Sequence, residues 1–144
     1  MNLNVSIADW VDHHRASFPS LEGITVITMG ESTDVSTPFL GIMESGSTPF
    51  EQDGVPLHGV STYEMTCELH TVPTDEDNDG TSAEDERVMR TDLYDILGNR
   101  DAIEWVNGRN FWSVFDIRAG GPTTESQEGR RVTRWILSVI AAPL

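Results

Sequence analysis

The stretch STYEMTCELHTV, residues 61–72, alternates without a break: Tyr63, Met65, Cys67 and Leu69 fall on one side of an extended chain, and Glu64, Thr66, Glu68 and His70 on the other. A period of two held this long is the signature of a strand. It predicts a sheet with one face turned to an apolar core and the other facing solvent or another subunit. The run RRVTRWILSVIAAPL, from Arg130, adds a second constraint. Its Val132, Ile136 and Ile140 share one face and Trp135, Leu137 and Val139 the other, so the strand is expected to be covered on both sides, by helices on one and most economically by a second subunit on the other.

The rest of the chain supplies the remaining elements. Ile7, Trp10, Val11, His14 and Phe18 fall at helical spacing, predicting a helix over 6–18 with Ser6 and Asp9 as a capping-box start. ITVITMG from Ile24 and TPFLGIMES from Thr37 read as strands. Residues 46–59, GSTPFEQDGVPLHG, show no period and read as a long functional or mobile loop. A second helix is predicted over 82–97, with Ser82 as N-cap, Glu84, Asp85 and Glu86 in the first turn, and Gly98 after the end. AIEWV is a short apolar piece, and Asn107-Gly108 reads as a turn closing a hairpin onto the strand FWSVFDIRA. The loop GGPTTESQEG precedes the last strand. This order predicts a single α+β domain over 1–144, a mostly antiparallel sheet of about five strands with two helices packed on one face.

Charge and composition narrow the function. The 144 residues carry 24 Asp and Glu against nine basic residues, all arginine, for a net charge of -15. Sequestering DNA or RNA needs a basic patch, and none is visible. Cys67 is the sole cysteine, which excludes an intramolecular disulfide and makes a reducing, cytosolic setting the default. The opening residues lack a signal peptide's basic and apolar segments, and no apolar run reaches the roughly 20 residues of a membrane helix. No catalytic constellation emerges. Cys67 reads as a small buried hydrophobe. His13 and His14 are neighbours on a helix and point about 100° apart, and His58 and His70 stand alone. The protein is therefore expected not to be an enzyme.

One motif points elsewhere. In DEDNDGTSAEDE, Asp75, Asp77, Asp79, Gly80 and Glu86 match the ligand spacing of a calcium-binding EF-hand loop. Against that match, a strand enters the loop where an EF-hand needs a helix, Ser82 stands where an aliphatic residue is usual, and Glu86 suits the first turn of the following helix. The favoured reading is a solvated acidic loop, 73–82, leading into an N-cap, with no metal ligands and no cofactor assigned; a small calcium-binding module is the alternative.

Taken together, the amphipathic SIADWVDHHRASFP, the proline-bearing TPFLGIMESG, the alternating YEMTCELHTV, the acidic loop into ERVMRTDLYDILG and the terminal ILSVIAAPL give a chain that resembles the tail terminator, or tail completion, proteins of long-tailed bacteriophages over nearly its whole length. The resemblance implies a virion protein assembled in the host cytoplasm. It would form a homo-oligomeric ring, usually of six copies, at the capsid-proximal end of the tail. There it would stop polymerisation of the tail tube protein below and offer a docking surface to the head-tail connector above, with DNA passing through unbound. A head-completion or neck protein at the same joint is the nearest alternative.

Overall fold

A computed structural model describes residues 2–28, 35–75 and 79–144. The chain begins with helix α1 (Leu3–His14), two short 3-10 turns and strand β1 (Thr25–Ile27). Long strands β2 (Phe39–Gln52) and β3 (Val55–Thr71) follow, then helices α2 (Ala83–Leu97) and α3 (Asp101–Asn107). Strands β4 (Trp112–Ala119), β5 (Thr123–Gln127) and β6 (Arg130–Pro143) complete it. The strands form one curled sheet in the order β1-β2-β3-β6-β4, with β5 continuing the β4 side of β6. The protein is thus mixed α and β, with six strands and three helices among the described residues rather than about five and two. The sheet is mixed as well, because β1 runs parallel to β2 while every other pair is antiparallel.

The alternation in β3 sets the core. Met65, Cys67 and Leu69 are fully buried, and register places them opposite Leu137, Trp135 and Thr133 of β6. Ile42 and Leu40 of β2 extend the same face, since they pair with Cys67 and Leu69. From the helices come Leu3, Ile7, Trp10 and Val11, spaced four, three and one apart along α1, together with Leu93, Ile96 and Leu97 of α2 and Ala102 and Val106 of α3. The expected single helical layer on one face is not clearly formed. Instead α1 lies against β1 and β2, α3 lies against β4, and the helices also pack on one another. Trp10 illustrates this: its ring lies 5.9 Å from that of Trp105, and its Nε1 donates to the Ile96 carbonyl at 3.3 Å.

Several local expectations are corrected. Helix α1 starts at Leu3 with Asn2 as N-cap, and Ser6 is buried inside it rather than capping it, because Leu3 extends the apolar stripe by a further turn. Residues 46–59 are not a loop but the end of the β2–β3 hairpin. Its two-residue turn is Asp53-Gly54, with φ of 53° and 78°, between paired Gln52 and Val55. Two positive φ values make a turn whose twist matches that of its flanking strands, and Asp-Gly is among the pairs that adopt it most readily. The same device, Glu128-Gly129 with φ of 48° and 79°, turns the expected loop 120–129 into the β5–β6 hairpin.

AIEWV lies within α3, where Ala102 and Val106, four apart, face the core. Asn107-Gly108 ends that helix instead of closing a hairpin. The Asn107 side chain instead accepts from the Val114 backbone N–H at 2.6 Å and donates to its carbonyl at 3.2 Å, serving β4 as a substitute strand edge. The end of the strand expected from Ile24 and most of the polar loop after it, residues 29–34, lie outside the described residues. Among the described residues, no helix is long and apolar enough to cross a membrane.

Candidate functional site

The acidic segment keeps its predicted helix start. Ser82 caps α2, its Oγ accepting from the Asp85 N–H at 3.1 Å. Upstream, residues 72–74 and 80–81 are tied together: the Thr81 N–H donates to the Val72 carbonyl at 2.7 Å, the Thr74 N–H to the Thr81 carbonyl at 3.2 Å, and the Thr74 hydroxyl to the Gly80 carbonyl at 2.8 Å. This closure accounts for Gly80. A Cβ there would come within 2.1 Å of the Val72 carbonyl oxygen and 2.8 Å of that of Pro73, so backbone crowding requires glycine whether or not a cation binds.

Glu86 is also accounted for. It is 2% exposed, and its carboxylate accepts from Arg90 Nη1 at 2.6 Å, with Arg131 Nε 3.1 Å from the same oxygen. The Arg131 N–H is not aimed along that line, so the second contact is an ion pair without a hydrogen bond. Asp75 and Asp79 are described and Asp77 lies outside the described residues. Of the three described carboxylates, Asp75, Asp79 and Glu86 do not gather into a group able to hold a metal, and Glu86 has two guanidinium partners. Among the described residues, no three His, Cys, Asp or Glu side chains are grouped closely enough to hold a metal.

The other chemistry-bearing side chains are placed as follows. Cys67 is fully buried, and that burial pushes its thiol up to about 12, which removes the thiolate needed of a nucleophile. His13 stacks on Trp105 and His14 on Trp10, with ring centres 5.7 and 4.5 Å apart, so each imidazole is engaged by a different indole. His58 lies in the exposed end of the β2–β3 hairpin. His70 stacks on Phe39 at 4.5 Å, and its Nε2 lies 3.3 Å from Glu68.

On the sheet face away from Cys67, register sets Glu68 of β3 opposite Arg134 of β6. Arg134 donates to Glu68 and also to Glu125 of β5, an ionic link across three strands. The Arg134 guanidinium holds the Glu125 carboxyl below the usual carboxylate range, while Glu68 first and Glu125 second raise the guanidinium. This face also carries Ile136, 42% exposed, so β6 is covered on one side and open at its middle on the other.

Two further surfaces escaped the sequence reading. The first residue of β3 paired with β6 is Ser61, opposite Ala141, so residues 50–60 stand beyond that pairing. Within them Val55 and Leu57 are 62% and 40% exposed, and Leu57, His58, Gly59 and Val60 form a wide irregularity opposite Phe50. At the other edge of the sheet, β4 has no outer strand neighbour among the described residues and is broken by a bulge at Phe115, which is 55% exposed. Next to it Asp116 receives Arg100 at 2.8 Å and Arg118 at 2.9 Å, and both guanidinium side chains stand largely in solvent. No protein-family model matches the chain, and no curated protein matches it.

Proposed function

We propose that the protein is a non-enzymatic structural part of a virion, a ring-forming tail terminator that ends tail-tube polymerisation and presents a docking surface to the head-side connector. The observation that carries this reading is the projecting end of the β2–β3 hairpin. An isolated two-stranded ribbon is marginal in water, and this one displays Val55 and Leu57 to solvent in a chain otherwise dominated by acidic surface. Such a projection is accounted for when a neighbour covers it. The exposed Ile136 on the sheet face opposite Cys67 supports the same conclusion, with the helices read as the layer that covers the other face. A surface of net charge -15 suits a channel past which DNA slides without adhering.

The test is genetic and structural together. Loss of the gene should leave tails of uncontrolled length, and the purified protein should cap the ends of assembled tail tubes in electron micrographs. Normal-length tails with unjoined heads would instead identify a neck protein. A monomer whose melting temperature rises with millimolar calcium and falls with chelator would replace both with the calcium module.

A further inference from the structure

The charges of this chain are divided along its length. Residues 16–86 contain fifteen Asp and Glu and no arginine, whereas residues 87–144 contain eight arginines against seven acidic residues. The division runs through the fold, because the first segment builds β1, β2 and β3 and the second builds α3, β4, β5, β6 and nearly all of α2 after its first turn. The projecting hairpin end belongs wholly to the acidic half. It sets Glu51 and Asp53 beside the exposed Val55 and Leu57. The bulged edge of β4 belongs to the other half and has the complementary character: exposed Phe115 beside two arginines that share a single carboxylate, Asp116, leaving one positive charge uncompensated within that group.

Resting on the ring reading above, we infer that the hairpin end of one copy seats on the Phe115–Arg118 surface of the next copy. Two hairpin ends facing each other would set acidic groups against acidic groups, so a two-fold contact through this element is disfavoured. A contact between two different surfaces repeats from copy to copy and closes into a ring when its rotation allows. The contact is made by side chains rather than by strand addition. Pro49 and Pro56 lack the N–H that an added strand needs, and the irregularity at residues 57–60 interrupts the edge.

The test uses two full-length variants. One, Val55→Asp with Leu57→Asp, spoils the hairpin end; the other, Phe115→Asp with Arg118→Glu, spoils the receiving surface. All four positions are at or near the surface, and circular dichroism checks that both variants keep the wild-type fold. Each variant alone should lose association by about thirtyfold or more, running as a monomer in sedimentation where wild type runs as a ring. An equimolar mixture contains one intact hairpin end and one intact receiving surface, so it should give heterodimers and nothing larger. A mixture that stays monomeric, or either variant still forming the wild-type ring, overturns the inference; in the second case the ring reading survives. A wild-type protein that is monomeric at every concentration overturns both.

Discussion

Replacing Glu86 by glutamine tests whether this residue serves the fold through arginine. The substitution keeps shape and removes charge from a side chain that is 3% exposed, leaving Arg90 and Arg131 without their anion. Breaking a fully buried ion pair costs about 3–5 kcal/mol, because the survivor is stranded out of water. Here the survivors retain 26% and 40% of their side-chain surface, and each can turn partly toward solvent. The expected loss is therefore about 2 kcal/mol, or about 6–8 °C in melting temperature for a chain of this size. Urea unfolding followed by tryptophan fluorescence measures it, with the slope unchanged if the native packing is intact. Adding Arg131→Met to Glu86→Gln should recover about 1 kcal/mol, since it removes one stranded cation. A Glu86→Gln protein within about 0.5 kcal/mol of wild type would refute this account of the residue. A calcium-induced rise in melting temperature that vanishes in the variant would show that Glu86 serves a metal instead.

Trp135 is fully buried, yet its indole N–H has no hydrogen-bond partner among the described residues. Trp135→Phe trades lost volume against release of that donor and should fall within about 1 kcal/mol of wild type, whereas Trp135→Ala should cost about 3–5 kcal/mol in the same unfolding assay. The Arg100 guanidinium, with Arg118, holds the Asp116 carboxyl below the usual carboxylate range. A lowered folded value means that this contribution is complete above about pH 4 and lost as pH falls through the folded value. Arg100→Ala should therefore unfold at lower urea than wild type at pH 7, by less than about 1 kcal/mol, and the gap should close toward pH 2; a gap that widens in acid contradicts the assignment. Cys67 should resist iodoacetamide in the native state and react at the rate of a free thiol in urea, and ready alkylation of folded protein would contradict its burial.

How much of this was legible beforehand depended on which physical signal each segment carries. The strand at 61–72 and the capped helix from Ser82 were readable because alternation and N-capping are local: Met65 and Cys67 point inward for the same reason that Glu64 points outward. Residues 46–59 were misread because their side chains follow no burial pattern. Almost all are exposed, so the hydrophobic period that identifies a strand is missing, and only Asp53-Gly54 betrayed the hairpin. The same signal at Asn107-Gly108 misled, since Ala102 and Val106 bury a short helix there and Gly108 keeps helical angles. The parallel β1–β2 pair could not be read from three residues. For the candidate surfaces, the charge division was in plain view, but which half carries Phe115 at an open edge depends on a bulge that no local pattern announces.

Strand β6 has a consequence for the order in which the chain can become a protein. It pairs with β3, β4 and β5, and it follows all three along the chain. During synthesis, Met65, Cys67 and Leu69 emerge and wait, with one edge of β3 unpaired, until about seventy residues later Trp135 and Leu137 arrive to pair with that edge. The sheet is thus closed by a latecomer, and the nascent chain carries an open strand edge from Thr71 until Arg130 has been added. The dense negative charge of its first half then acts in time as well as in space, holding unfinished chains apart until β6 fills the gap.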